Sequence, residues 1–466
     1  MNEPEPPLGP RLPAVLARPS GSMRYLLHAR AFALAGVIHL TLPDAAEPGW
    51  LAPNVLAALG VILLFANGCL LGWALLFAGV AWPLVALGDQ LTQSVYMLSV
   101  AGAAVALWLG PEAGRGARLD VELARVVRVV TVLTYAIAAL HKMNGGFLTA
   151  DVSCASQGVV ILARNWGIPA IAWPPLLPVW PVVFLVVEVA LPVLLRVRPL
   201  AGMILGVAVH IPLTIIFAPA FAFVVTTGYV TLLREPELRA LGRVLAARVR
   251  LVLVLGGGLG LASFALYMRV HRVVYWFWSA KEILLWMALV WLLAAWRARG
   301  PLFRDSGAWR EGRAGSSLGR AVLAIVVACW LANASTPYLG LQFHHTAAML
   351  SNLRIDRGCW NSLIFPESMR LADPYIRIDE VRVAAAHAQA EAVLRERLWT
   401  PASLRRARRD LCRTGGGPVT LGARWRGRRY DVRDLCRTWP FGEPVLPGWK
   451  GFQDNLLRQC PQYCIH

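Results

Sequence analysis

The sequence predicts an all-α polytopic membrane bundle of about ten transmembrane helices, followed by a small α+β extracytoplasmic domain at the carboxyl terminus. The first observation behind this prediction is composition: 57% of the 466 residues are hydrophobic and only 16% are charged, whereas soluble domains carry about 25% charged residues. The second is that the apolar residues concentrate between positions 23 and 338. The third is that most of the cysteines lie where the predicted topology has its outer side.

Three regions follow from these patterns. Residues 1–22 are predicted to form a cytoplasmic tail, which is rich in Pro and lacks the apolar core of a cleaved signal peptide. Residues 23–338 form the transmembrane helical domain, and residues 339–466 form the extracytoplasmic, cysteine-containing domain. Candidate spans begin near Leu26, Leu51, Leu71, Thr92, Val121, Val179, Ala201, Ile216, Leu251, Lys281 and Ala321. The segments at Ala201 and Ile216 are crowded, so one of them is expected to be short, broken or re-entrant.

Basic residues set the predicted orientation, since Lys and Arg concentrate on the cytoplasmic side of membrane helices. Alternating crossings place nearly all basic flanks on one side, and only Arg269 and Arg272 break the pattern. The connections 43–50, 88–93 and 144–158 are poor in basic residues and are predicted to be outer loops. The expected location is therefore a bacterial inner (plasma) membrane, with the amino terminus cytoplasmic and the carboxyl-terminal domain extracytoplasmic.

Six of the eight cysteines fall outside the membrane on this topology, which makes disulfide bonds plausible in an oxidising compartment. They are Cys154, Cys359, Cys412, Cys436, Cys460 and Cys464. Structural bridges are favoured over redox chemistry because the chain has no CxxC pair. A bridge from Cys154 to the tail is one option, but the pairing is open. Within the tail, the sequence predicts a helix over 401–413 and a hairpin of 419–425 with 429–432.

The formal net charge is +19, and the residues from 339 onward contribute 19 Arg, one Lys and 12 acidic residues. Nucleic acid is not an expected partner, because the basic residues flank membrane helices or lie in the outer domain. The expected partners are the lipid bilayer and a peptide or protein substrate at the basic outer domain.

Ionisable side chains inside predicted spans indicate a functional site by default. Lys142 follows a long apolar run, Glu188 lies in the middle of a span, and His210 and His39 lie in two others. A desolvated Lys can act as a base, and a carboxylate or His can orient it or relay a proton. No metal site is expected.

Structural alternatives remain open for each of these residues. Lys142 could extend to the outer membrane interface, and Glu188 could belong to an interhelical ion pair. His210 and His39 could form hydrogen bonds between helices. His141, beside Lys142, is expected on another face of its helix, at the interface.

The segment Tyr135-Ala-Ile-Ala-Ala-Leu-His-Lys142-Met-Asn-Gly-Gly-Phe147 resembles a segment of vitamin K-dependent gamma-glutamyl carboxylase and its bacterial relatives, the horizontally transferred transmembrane (HTTM) family. Arg164-Asn165-Trp166 is similar to the family's Arg-His-Trp, and Val209-His210 is similar to its Phe-His. Leu350-Ser-Asn-Leu-Arg354 looks like the opening of the outer domain in bacterial members. The tail differs, and His141-Lys142 stands where the family has Lys-Lys.

This resemblance implies a carboxylase-like membrane enzyme. Lys142 would be the base that deprotonates a reduced quinone (vitamin K-like) cofactor, with His210 and Glu188 in its polar surroundings. His39, Tyr135 and Trp166 are the residues expected to contact the cofactor. A peptide or protein substrate would reach the site from the outer domain.

Two other functions stay open because a fold does not determine a function. One is a non-catalytic membrane factor for maturation or export of a secreted peptide or protein, which would tolerate loss of Lys142 but not loss of the tail. The other is a transporter, which fits the intramembrane charges although no inverted repeat is visible in the sequence.

Overall fold

Long helices dominate the chain before residue 339. The computed structural model describes residues 16, 21–40, 48–87, 92–110, 116–216, 221–270, 276–298, 307–311, 315–343, 346–348, 350–383, 388–413, 418–442, 451–453 and 456–464. The helices of the first region are α1 (Met23–Leu40), α2 (Leu51–Asn67), α3 (Leu70–Trp82), α4 (Thr92–Trp108), α5 (Gly116–Lys142), α6 (Gly145–Leu148), α7 (Cys154–Trp166), α8 (Val179–Val197), α9 (Pro199–Ile216), α10 (Phe221–Thr226), α11 (Glu235–Leu251), α12 (Gly257–Val270), α13 (Trp276–Arg297) and α14 (Ser317–Ser335). Each predicted span contains one of these helices. Most of the predicted amino-terminal tail and the side chains of Arg269 and Arg272 lie outside the described residues.

Several helices are suited to a membrane. Four described helical segments are long and apolar enough to cross one: Arg118–Lys142, Pro174–Val197, Glu235–Leu266 and Ser317–Ser335. On α8, the outward-facing Val182 and Val186 are 52% and 60% exposed. Contiguous apolar surface of this kind is unfavourable in water and favourable in hydrocarbon. The chain is therefore a mainly helical protein with helices able to span a membrane.

The crowded pair of predicted spans forms α9 and a short, irregular partner. The α10 helix has six residues and continues as a 3-10 helix, Thr227–Leu232. At Gly228, a Cβ atom would collide with the side chains of Thr131 and Tyr96, so glycine permits this segment to approach α4 and α5 closely. The prediction that one member is short is confirmed.

Helices occupy the connection 144–158, which was predicted to be a loop. Asn144 caps α6 by accepting a hydrogen bond from the Phe147 amide, and Ser153 caps α7 by accepting one from the Ala155 amide. The thirteen residues of α7 are too few to cross a membrane. Hydropathy over a span-length window therefore missed this helix, whose buried face packs against α8 and α9.

The carboxyl-terminal domain is built on a four-stranded antiparallel sheet in the order β2-β1-β3-β4. Its elements are β1 (Ile376–Arg382), α15 (Ala388–Glu396), β2 (Leu398–Trp399), α16 (Pro401–Arg413), β3 (Thr420–Trp425) and β4 (Arg428–Val432). The predicted helix and hairpin are confirmed as α16 and β3–β4. Arg426 and Gly427 both have positive φ, of 50° and 75°, as a tight two-residue hairpin turn requires. Strands β1 and β2 and helix α15 were not predicted.

The six predicted cysteines lie at disulfide distance in three pairs: Cys154–Cys464, Cys359–Cys460 and Cys412–Cys436. The first joins the start of α7 to the end of the tail, which confirms a bridge between Cys154 and the tail. The second and third lie within the carboxyl-terminal domain. Cys69 and Cys329 are free.

Residues 350–363, here called the covering segment, pack on the connection that follows α5. The Asn144 side chain donates to the Ser351 carbonyl at 2.6 Å. The Asn352 side chain accepts from the Cys154 amide at 2.7 Å and donates to the Val152 carbonyl at 2.8 Å. These buried hydrogen bonds fix the carboxyl-terminal domain against the end of α5 that carries Lys142.

Candidate functional site

The last residue of α5 and the middle of α8 form a buried ion pair. The Lys142 Nζ lies 2.9 Å from the Glu188 Oε2, and the two side chains are 9% and 12% exposed. Such a pair is stable in an apolar setting only because each charge compensates the other. The sequence placed both residues among its candidates, and the structure brings them together across two helices.

His210 lies on α9 with a fixed ring orientation. Its Nδ1 lies 2.6 Å from the Gly206 carbonyl oxygen, and since a carbonyl only accepts, Nδ1 carries the hydrogen. In the neutral ring the opposite nitrogen, Nε2, then bears a lone pair. This Nε2 is buried and meets no hydrogen-bond partner among the described residues. An imidazolium buried without a paired anion would be costly, which favours the neutral ring.

Tyr135 contacts His210, and Tyr229 in turn contacts Tyr135. The Tyr135 ring meets the His210 ring edge-on at 5.7 Å between centroids, and its hydroxyl lies 2.7 Å from that of Tyr229. Gly206 makes this arrangement possible, because a Cβ there would collide with the Tyr229 hydroxyl. Gly206 therefore has two roles: its carbonyl orients His210, and its lack of a side chain leaves room for the tyrosine pair.

Lys142, Glu188, His210 and Tyr135 line one cavity. The empty space between these side chains, including the part open to the surroundings, is about 840 Å³. Its wall is otherwise almost wholly apolar. The remaining lining residues are Ala138, Phe147, Cys154, Ala155, Gly158, Phe184, Leu191, Val209, Leu213, Phe221, Ala347 and Leu350.

The cavity extends along α5. Tyr135 and Lys142 are seven residues apart, which puts them on the same helix face and about 10 Å apart along the axis. His210 lies beside Tyr135, whereas Phe147, Cys154 and Leu350 surround the Lys142 end. The part of the cavity around Lys142 and Glu188 is called the ionic end below, and the part around His210 and Tyr135 is called the histidine end.

The other predicted site residues lie elsewhere. Trp166, at the end of α7, packs against Leu162, as do Ile171 and Met268, and it does not line the cavity. The side chain of His39 lies outside the described residues.

The sequence predicted an interfacial position for His141, but the structure buries its side chain inside the protein. It is fully buried, with Nδ1 2.8 Å from the Tyr338 hydroxyl and Nε2 2.9 Å from the Thr346 carbonyl. Both ring nitrogens are thus engaged, and His141 has a structural role at the end of α5. The burial of His141 is due to Tyr338 and Thr346, which lie about 200 positions later in the chain and cover the end of α5. Hydropathy along the sequence does not reveal such distant contacts.

Sequence reasoning also missed several residues that shape the cavity: Phe147, Gly206, Phe221, Tyr229, Ala347 and Leu350. Asn144, which caps α6 directly after the Lys142 segment, is a local signal that the chain turns back there. Ala347 and Leu350 come from the tail, some 200 positions away from the helix they cover.

A second buried charged cluster lies along the amino-terminal half of α5. Arg24 contacts Asp120 at 2.8 Å and also Glu311. Arg128 lies 3.3 Å from Glu311 and donates to the carbonyls of Thr231 and Ala308. Arg24 and Arg128, predicted as flanking charges of membrane helices, are 3% and 1% exposed.

The fold and the site define a class: a helical protein with segments able to span a membrane, a disulfide-bonded α+β domain, and a Lys–Glu pair in an apolar cavity. Within the described part of the chain, no group of three or more His, Cys, Asp or Glu side chains could hold a metal ion. No known family, no curated protein and no solved structure matches this chain.

Proposed function

We propose that this chain is a polytopic bacterial inner-membrane enzyme that deprotonates a lipid-soluble, weakly acidic cofactor such as a reduced quinone, and thereby modifies a peptide or protein substrate. The observation that carries the proposal is the Lys142–Glu188 pair, which lines the same apolar cavity as His210. The segment around Lys142 that resembles the carboxylase family supports it independently.

The lining residues fit a reduced quinone. Apolar walls suit its ring and isoprenoid chain, and the buried, unpartnered Nε2 of His210 offers an acceptor for a hydroxyl. When bound, a reduced quinone would supply an acidic hydroxyl and the electrons that reduce oxygen.

The chain supplies the base. Exchange of one proton within the Lys142–Glu188 pair converts ammonium and carboxylate into amine and carboxylic acid, with no change in net charge. The neutral amine is the form that accepts a proton, which Arg could not do in this position. The walls around the pair are mostly apolar, so its electrostatic interactions are stronger there than in bulk water.

The carboxyl-terminal domain is the proposed site of substrate binding. It is basic, it covers the Lys142 end of the cavity, and its Cys464 bonds to Cys154 in the cavity wall. Its three disulfide pairs support an oxidising, extracytoplasmic location for this domain. The proposed topology also has a cytoplasmic amino terminus and about ten helices in the bilayer.

The test is consumption of a reduced naphthoquinone and oxygen by the purified full chain. Lys142→Ala should reduce turnover at least about 100-fold, as loss of a general base does. Lys142→Arg keeps the positive charge beside Glu188, but arginine cannot lose a proton to become a neutral base. This variant should therefore fold and be as inactive as Lys142→Ala. Equal consumption by wild type and Lys142→Ala would refute the enzyme assignment.

A non-catalytic maturation or export factor is the second candidate. It is favoured by one observation, the covalent attachment of the tail to the helical region through Cys154. In that case the Lys142–Glu188 pair would only join α5 to α8. Lys142→Arg would then retain function in cells, while removal of the tail would abolish it.

A further inference from the structure

The histidine end of the cavity can distinguish the two redox states of a quinone. This inference rests on the proposed function, since it concerns the same cavity and the same class of cofactor. The relevant fact is the direction of the hydrogen bond at His210. Because Nδ1 donates to the Gly206 carbonyl, the cavity presents a lone pair at Nε2 rather than a hydrogen.

A reduced quinone carries hydroxyl groups, which donate. An oxidised quinone carries only carbonyl oxygens, which accept. The hydroxyl can satisfy Nε2, whereas a carbonyl in the same place would put two lone pairs against each other and leave Nε2 unpaired. A buried polar atom without a partner is costly, and more so when an acceptor faces it.

The ionic end gives no such preference. It presents both a donor and an acceptor, because the Lys142 ammonium can donate to a carbonyl oxygen and the Glu188 carboxylate can accept from a hydroxyl. The tyrosines beside His210 have no fixed direction either, because the hydroxyls of Tyr135 and Tyr229 lie 2.7 Å apart and either one can be the donor to the other. Discrimination between the two redox states therefore falls to His210.

We infer that His210 is a specificity-determining residue that selects the reduced, hydroxyl-bearing form of the cofactor over its oxidised form through an acceptor at Nε2. The oxidised product would lose this bond and leave more readily. The cavity would thus take up the reduced cofactor and release the oxidised one.

The experiment is calorimetric titration of the full chain in detergent under argon. The probes are a dimethylnaphthoquinone, its diol, and the dimethyl ether of that diol, which keeps the ring but has no hydroxyl to donate. In the wild type the diol should bind about tenfold more tightly than the quinone, the value of one well-placed hydrogen bond. The ether should bind as weakly as the quinone.

His210→Phe should bring the affinities for diol and quinone within about twofold of each other, because it keeps an aromatic ring and removes the acceptor. The matched control is His28→Phe. His28 is also buried, and its Nε2 also meets no partner among the described residues, but it packs on Trp73 away from the cavity. This variant should keep the tenfold ratio.

Each outcome decides a different question. Equal binding of diol and quinone by the wild type overturns the role of His210 but leaves the proposed function intact. A preference that persists in His210→Phe also overturns it. No binding of any probe overturns the proposed cofactor class itself. If His210→Phe does not fold, equal binding of the diol and the ether by the wild type still overturns the role of His210.

Discussion

The two ends of α5 hold buried charges in contrasting surroundings. At the amino-terminal end, Arg24 and Arg128 are enclosed by Asp120, Glu311 and backbone carbonyls. At the carboxyl-terminal end, Lys142 and Glu188 form a single pair beside empty space. A buried network with every partner present fixes a structure, whereas a pair beside a cavity and an unpartnered histidine is available to a ligand. The first end therefore holds helices together and the second end is the candidate site.

The largest expected effect is on stability at the amino-terminal end. Asp120→Ala should destabilise the protein by about 3–5 kcal/mol, because it removes the main partner of a buried arginine. Thermal unfolding of the purified chain in detergent measures this loss, and binding of the diol at 4 °C should be unchanged.

The matched control for Asp120→Ala is Arg239→Ala. Arg239 pairs with Glu235, but its side chain is 62% exposed, and pairs of this kind contribute less than about 1 kcal/mol. If both variants unfolded at the same temperature, the amino-terminal network would not be the structural element described above.

The next effect tests how the tail is attached to the site. Cys464→Ala breaks the Cys154–Cys464 bond, which closes a loop with a sequence separation of 310, and should cost about 2–4 kcal/mol. It should also weaken diol binding, since Cys154 lines the cavity. Cys412→Ala breaks the Cys412–Cys436 bond, whose sequence separation within the tail is only 24. It should lower stability less and leave diol binding unchanged. Loss of diol binding in both variants would mean that the position of the covering segment depends on the whole carboxyl-terminal domain and not on the Cys154–Cys464 bond alone.

The contrast between the ends of α5 also shows what the sequence could predict. Lys142, Glu188 and His210 were identifiable because ionisable residues are rare in apolar segments, and the β3–β4 hairpin because its turn residues are local. The network at the amino-terminal end was not predictable, because Arg24 and Asp120 are 96 positions apart and resemble ordinary flanking charges. The covering segment was missed for the same reason, since 198 positions separate Cys154 from Asn352.

A smaller effect should appear when the Lys142–Glu188 pair is disrupted. Glu188→Leu leaves the ammonium beside a cavity that can admit water, so we expect a loss of about 1.5–3 kcal/mol, the range for a hydrogen bond to a charged group. The double variant Lys142→Met/Glu188→Leu should recover most of this stability, because no unpaired charge remains, yet stay inactive. If the double variant were as unstable as the single one, the pair would have further structural partners and the two ends of α5 would be alike.

The smallest expected effect concerns an exposed charge cluster in the carboxyl-terminal domain, which serves as a reference for the buried charges at both ends of α5. Asp379 accepts hydrogen bonds from Arg424 at 2.7 Å and from Arg458 at 3.0 Å, and these bonds hold the pKa of its carboxyl below the usual 3.8. Because the pKa is lower in the folded state, the stabilisation is present above about pH 4 and disappears as the pH falls through the folded-state value. Asp379 is one-third exposed, so solvent screening limits the contribution to less than about 1 kcal/mol. Asp379→Asn should thus lower the unfolding temperature slightly at pH 7 and match the wild type near pH 2, whereas a difference that is constant across this range would show that the aspartate acts through its shape and not its charge.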